Sequence, residues 1–220
     1  MPQESLEKIL DKGFALVSID YRLATEEIKY PLPVTDCKDT LRWLRKNARQ
    51  LNLDPNRIAL WGVSAGGYLA LLAGLTPEHM FIDDDELVDY SSEVNAIIFW
   101  AGSTDFLFEE GHSKKAEDIA QFFLGGSVED IPEIYQEVSP INYLQADSAP
   151  IYLVHGNKDS LVPYAQSEKF HTKGKTIGAK VDLLSVQNAD HGFPSSKIIP
   201  ITPNPFIIIE MCLQFFAEHL

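Results

Sequence analysis

The chain has 220 residues, 45% of them hydrophobic, enough to bury a sizeable core in a single domain. Acidic residues outnumber basic ones 32 to 18, for a formal net charge of −14. No basic run is present that would track a phosphate backbone, so nucleic acid is excluded as an expected partner.

The acidic residues are scattered, and their densest run, Asp83 to Glu86, reads as a solvated loop. No apolar run approaches the roughly 20 residues of a membrane-spanning helix, and the start carries no signal-peptide pattern, so the expectation is a cytoplasmic protein without a membrane span. Cys37 and Cys212 lie far apart on two predicted helices and at no metal-like spacing to a histidine. They read as buried thiols in a reducing compartment rather than as a disulfide.

In chain order, Leu6, Ile9 and Leu10 recur at helical spacing over Ser5 to Asp11, with Gly13 as a stop signal. Phe14 to Ile19 is a short apolar run, as expected of a strand buried on both faces of a parallel sheet. Pro31 and Pro33 mark a loop and Thr35 an N-cap. Leu41, Leu44, Ala48 and Leu51 then carry a helix as far as the turn at Asp54 and Pro55. A strand at Ile58 to Trp61 runs into a helix at Gly66 to Leu75 that is apolar all round and should be buried. An acidic connection, Thr76 to Glu93, precedes a strand at Ala96 to Trp100.

Residues 103–145 are long for a plain crossover and read as a cap or inserted helical region. Their aromatics, Phe106, Phe108, Phe122, Phe123 and Tyr135, either pack that layer or line an acyl pocket. Strands at Ile151 to Val154 and Val181 to Val186 follow, with a helix from near Pro163 between them. Asn204 as N-cap and Pro205 as first helical residue open a closing helix through Phe216. Strict alternation of helices with short apolar strands argues one α/β domain, a mostly parallel sheet with helices on both faces. Ligands in such sheets bind beyond the carboxyl ends of the strands.

Ser64 stands at a strand-to-helix junction in Gly62-Val63-Ser64-Ala65-Gly66, the pattern in which a serine is held on a strained turn with its hydroxyl exposed. Small flanking residues let strand and helix approach there. A serine hydroxyl is a weak nucleophile and needs a base, itself oriented by an acid. Of six histidines, His79 and His112 lie in connections, His171 on a polar helix, His219 at the terminus and His155 at the end of a buried strand; all have structural readings. His191 sits in a loop just past the last strand and reads as the base. Asp159, in the loop after Ile151 to Val154, reads as the acid ahead of Asp105 and Asp190. It gives the order Ser, Asp, His and puts acid and base after adjacent strands.

With these residues placed, the chain resembles an α/β-hydrolase of the esterase and lipase type. It is close to the bacterial branch that includes feruloyl and acetylxylan esterases, and related to the hormone-sensitive-lipase-like carboxylesterases. The matching motifs run in family order along essentially the whole chain. They are Ser18-Ile19-Asp20-Tyr21-Arg22-Leu23-Ala24, Asp54-Pro55-Asn56-Arg57-Ile58, Trp61-Gly62-Val63-Ser64-Ala65-Gly66-Gly67, Thr104-Asp105-Phe106, Ser139-Pro140-Ile141, His155-Gly156 with Asp159 and Val162-Pro163, and His191-Gly192-Phe193. The resemblance implies a three-layer fold, Ser64 as nucleophile, His191 as general base, Asp159 as its orienting acid, and an acyl-enzyme intermediate. The backbone N–H of Ala65 would be one oxyanion donor. A small-molecule ester is the implied substrate, and no cofactor or metal is implied.

The departure from the family lies upstream. The strands that precede Phe14 to Ile19 in the family, and the His-Gly-Gly loop that completes the oxyanion hole, have no counterpart, so the fold reads as N-terminally truncated. The strand absent between Phe14 to Ile19 and Ile58 to Trp61 is central. Three readings follow: the two strands pair directly, a second copy fills the gap in a homo-oligomer through the sheet edge, or the fold continues upstream of Met1. Losing one oxyanion donor typically costs roughly a hundred- to a thousandfold in turnover. Besides an ester hydrolase, the chain can therefore be read as a catalytically impaired binding or assembly module, or as an amidase or peptidase using the same triad.

Overall fold

The computed structural model describes residues 3–107, 113–193 and 200–220. Phe108 and His112, singled out above, lie outside them. The sheet is built from β1 (Ala59–Val63), β2 (Ala96–Trp100), β3 (Ile151–Gly156) and β4 (Val181–Val186), all parallel and in the order β1-β2-β3-β4. Every connection is thus a crossover, and helices cover both faces. They are α1 (Gln3–Asp11), α2 (Leu32–Leu51), α3 (Ala65–Leu75), α4 (Lys114–Leu124), α5 (Pro132–Glu137), α6 (Ala165–Ile177) and α7 (Pro205–His219).

The alternating side chains of the central strands show the layering. Ile97 and Phe99 of β2, with Ile151 and Leu153 of β3, pack towards α2, α3 and α6 in one cluster. Ala96, Ile98, Tyr152 and Val154 pack the other way with α7, while Ile9 of α1 meets Ile209 and Leu213 of α7. Ile97, Ile98, Phe99, Ile151, Leu153 and Val154 are wholly buried, and each such side chain contributes about 1.5–3 kcal/mol relative to exposure. This is the three-layer α/β arrangement. Cys37 and Cys212 fall in the two opposite layers, both thiols free, and burial pushes each up to about 12.

Two expectations require correction. Phe14 to Ile19 is not a strand. It makes no ladder with β1, and Leu16 and Val17 stay 47% and 46% exposed, so the direct pairing of the two segments does not occur. A strand is stabilised by a neighbour's backbone, and apolar content alone cannot supply one. β1 is consequently an edge of the sheet among the described residues.

Thr35, in turn, is not an N-cap: α2 starts three residues earlier, at Leu32, and Thr35 is buried with its hydroxyl donating to Pro31 O at 3.3 Å. The prolines open the helix rather than delaying it, because first-turn N–H groups lack intrahelical partners anyway. At the other end of the chain α7 begins as expected, with Asn204 Oδ1 accepting from Ile207 N at 3.1 Å.

Residues 103–145 form α4, α5 and a 3-10 turn at Pro140–Tyr143. Ser113 caps α4 by accepting from Ala116 N, and Gly125 ends it in the left-handed region at φ 89°. Phe106 and Phe123 are set edge-on against Tyr68 of α3.

Candidate active site

The site begins where β1 turns into α3. Ser64 has φ 55° and ψ −120°, a conformation that a residue with a side chain adopts at a cost on the order of 1–3 kcal/mol. Its N–H donates to Trp100 O at 2.7 Å, which fastens the turn to the end of β2. Gly62 is required here: a Cβ would collide with Gly66 O and the backbone around it. Gly66 differs from expectation, since a Cβ there meets nothing within 4 Å. It is the Gly66 backbone that crowds Gly62, not the reverse. A Cβ on Gly102, after β2, would come within 2.6 Å of Ser64 O. Ala65 is the first residue of α3, where an N–H has no partner within its own helix.

Two loops at the carboxyl ends of β3 and β4 carry the other groups. They approach so closely that a Cβ at Gly156 would overlap Ala189 O. Asp190 ties them together: its Oδ1 accepts from Ser160 N and Ser160 Oγ at 2.8 Å each and from His191 N at 2.7 Å. Asp190 is thereby occupied with backbone, and its carboxyl is held below the ordinary range chiefly by those N–H donors. Asp105 is elsewhere, paired with Lys169 Nζ at 2.6 Å and accepting from Leu107 N.

Asp159 meets His191. His191 Nδ1–H donates to Asp159 Oδ2 at 2.8 Å, and Ser64 Oγ–H lies 2.9 Å from His191 Nε2. The Asp159 side chain is buried, with Oδ1 accepting from Leu161 N at 2.9 Å and Val162 N at 2.8 Å. Burial alone would push this carboxyl up. The donors from His155, His191, Val162 and Leu161 outweigh it and hold the group well below the usual carboxylate range. The bond to Asp159 raises the His191 imidazole above its ordinary value; burial and Lys115 oppose this, while Asp159 and Asp190 reinforce it. The structure thus brings Ser64, His191 and Asp159 into one hydrogen-bonded line and leaves Asp105 and Asp190 out of it.

Two residues here escaped sequence reasoning. His155, assigned a structural place at the end of its strand, lies 3.2 Å from Asp159 Oδ2. Gln166 is buried on α6 and fixes the loop after β2, accepting from Thr104 N and Asp105 N and donating to Asp105 O. The His-x-x-x-Asp spacing of His155 and Asp159 was the available signal for the first; nothing in the sequence marks the second.

The Ser64 hydroxyl opens on a cavity of about 630 Å³ walled by Tyr21 to Ala24, by Ala65, Tyr68 and Leu69 of α3, and by residues of 103–145 including Phe106, Ala120, Phe122, Phe123 and Tyr135. Phe106, Phe123 and Tyr135 therefore do both things considered for the aromatics, packing on the core and lining a pocket, while exposed Phe122 only lines it. Among the described residues no cluster of His, Cys, Asp and Glu is arranged to hold a metal ion, and no helix is long and apolar enough to cross a membrane.

A family model described as BD-FAE matches residues 1–173, most of the chain. The chain belongs to the BD-FAE family. Esterase LipC of Mycobacterium tuberculosis is 28% identical over 193 residues, 86% of this chain and 47% of LipC. This BD-FAE chain spans less than half the length of the curated esterases LipC and LipQ. Among solved structures, a truncated form of carbohydrate esterase from gut microbiota superposes with a TM-score of 0.79 at 27% identity, covering 96% of this chain and 76% of that one. The acetyl ester-xyloside bifunctional hydrolase from Caldicellulosiruptor lactoaceticus does so with 0.75 at 26% identity, over 90% and 69%. The α/β-hydrolase expectation is met by these likenesses and by the sheet itself.

Proposed function

We propose that the chain is a serine hydrolase that cleaves carboxylic esters of small to medium acyl groups through an acyl-enzyme, with acyl groups carried on carbohydrate as the leading substrate class. The observation that carries this reading is the unbroken line from Ser64 Oγ through His191 to buried Asp159, at 2.9 and 2.8 Å, opening on a cavity of about 630 Å³. The esterase and carbohydrate esterase relatives support the substrate class.

In this reading Ser64 Oγ attacks the ester carbonyl carbon as its proton passes to His191 Nε2. The imidazolium is stabilised by Asp159, which the surrounding donors keep ionised. The tetrahedral oxyanion faces the N–H of Ala65. Collapse expels the alkoxide, which takes the proton from His191, and a water activated by the same nitrogen then releases the acid. Residues 1–220 act as one domain, with 103–145 as the cap over the serine.

The test is hydrolysis of p-nitrophenyl acetate by the wild type and by Ser64→Ala, with a fluorophosphonate probe as a second readout. The wild type should turn over and be labelled, and Ser64→Ala should lose about a thousandfold or more and all labelling. A wild type that neither turns over nor labels would leave the chain a non-catalytic binding module. Faster cleavage of aminoacyl anilides than of matched esters would make it an amidase.

A further inference from the structure

His155 is wholly buried at the end of β3, and both its ring nitrogens are engaged. Nδ1 lies 2.7 Å from Ser167 Oγ on α6. Nε2 lies 3.0 Å from Val162 O and 3.2 Å from Asp159 Oδ2. A carbonyl and a carboxylate only accept, so the hydrogen belongs on Nε2 whether the ring is neutral or charged, while the Ser167 hydroxyl can serve Nδ1 in either role. The Tyr164 ring closes the pocket edge-on at 5.7 Å. Asp159 Oδ1 is already filled by two backbone N–H groups. Its Oδ2 therefore stands against two imidazoles: it accepts from His191 Nδ1–H, and the His155 Nε2–H that bonds Val162 O also lies within 3.2 Å of it.

We propose that His155 is a positioning residue that sets the basicity of His191 by sharing Asp159 Oδ2 with it. The inference rests on the reading of Ser64, His191 and Asp159 as a catalytic line. An N–H on a carboxylate oxygen draws off part of the charge which that oxygen presents to any other donor. With His155 in place, His191 feels a moderated carboxylate, and its neutral form, the one able to accept the Ser64 proton, persists to lower pH. With His155 removed, the whole charge of Oδ2 faces His191 and favours the imidazolium. Among the described residues, the other groups facing His191 are Asp190 on its own loop, Lys115 on α4 and the Ser64 hydroxyl before α3, and none of them changes with His155. A purely structural role makes a different forecast: lower stability or lower turnover at every pH, with the His191 titration in place.

The experiment is an NMR titration of 15N-histidine-labelled full chain, reading His191 in the wild type, His155→Leu and His155→Gln. His155→Leu should raise the His191 pKa by about one pH unit, the size of an ordinary environmental shift. His155→Gln, whose amide N–H reaches near the Nε2 position, should restore the wild-type value. The acid limb of kcat/KM should move up in parallel for His155→Leu.

A folded His155→Leu with unmoved His191, or leucine and glutamine variants shifted alike, would overturn the proposal. Should His155→Leu not fold, the wild type still decides. Its His155 Nε2 must carry the proton throughout and its shift must respond as His191 titrates; a hydrogen on Nδ1 alone refutes the sharing. Absence of ester hydrolysis in the wild type would sink the proposed activity but leave this titration readable, so the two failures are told apart.

Discussion

Asp159 is an acceptor-only group set among four N–H donors: two backbone and two imidazole. Asp159→Asn therefore breaks a rule that the aspartate obeys, since its amide must turn an NH2 towards one pair of donors. Buried donors left facing a donor cost about 1–3 kcal/mol, and, on the proposed role of His191, an acid-to-amide change behind the imidazole costs on the order of 10⁴ in kcat. Both should appear, the first in urea titration and the second in ester hydrolysis. The sign with pH follows from the depressed carboxyl: the wild type holds its advantage above the unfolded aspartate value, about 3.9, and surrenders it only as the pH falls through the still lower folded value. Ser64, His191 and Asp159 were legible because their Gly neighbours, order and strand ends are local facts of the chain. The place of His155 was not. It depends on the 156–159 loop turning back so that two residues four apart meet at one oxygen, whereas the sequence offers only a histidine ending a buried strand.

At the scale of elements, the β1-to-α3 turn separates two glycines that look equivalent in sequence. Gly62→Ala places a methyl into the Gly66 backbone, whereas Gly66→Ala meets nothing within 4 Å. Thermal denaturation should show Gly62→Ala several kcal/mol less stable or unfolded, and Gly66→Ala unchanged or more stable by about 0.5–1 kcal/mol from helix propensity. Equal effects would mean that strand and helix do not touch as described. Helix α4 makes a second forecast. Ala120 of α4 lines the cavity, so Ala120→Phe should shorten it and lower kcat/KM for octanoyl esters about tenfold or more while sparing acetate. A uniform fall across chain lengths would remove α4 from the acyl wall. Element boundaries were read well where propensity and burial agree, as in β2, β4 and the start of α7. They failed at Phe14 to Ile19 and Thr35, where the outcome hangs on a pairing partner and on helix entry through proline, neither of which a hydrophobic pattern encodes.

The whole molecule carries a net charge of −14, and its candidate site does not escape that field. Arg22 lines the cavity, but its guanidinium is taken by Asp36 at 2.6 Å and Asp83 at 3.2 Å, while exposed Glu117 and Glu129 stand on the cavity wall. Lys115, which faces His191, opposes Asp159 and Asp190 among the described residues that bear on that imidazole. An anionic ester approaching the site should therefore meet net repulsion over a distance set by salt, about 30 Å at 0.01 M and about 8 Å at 0.15 M. A neutral ester should not. Raising the salt across that range should increase kcat/KM for p-nitrophenyl hemisuccinate about threefold to tenfold and leave p-nitrophenyl acetate nearly unchanged. The ratio of the two substrates cancels any effect of salt on stability or on His191, so it reads the field alone. A ratio indifferent to salt would mean that local positive charge, most simply Arg22 released from Asp36 and Asp83, faces the substrate. Charge reversal at Arg22 would then be the next variant to measure.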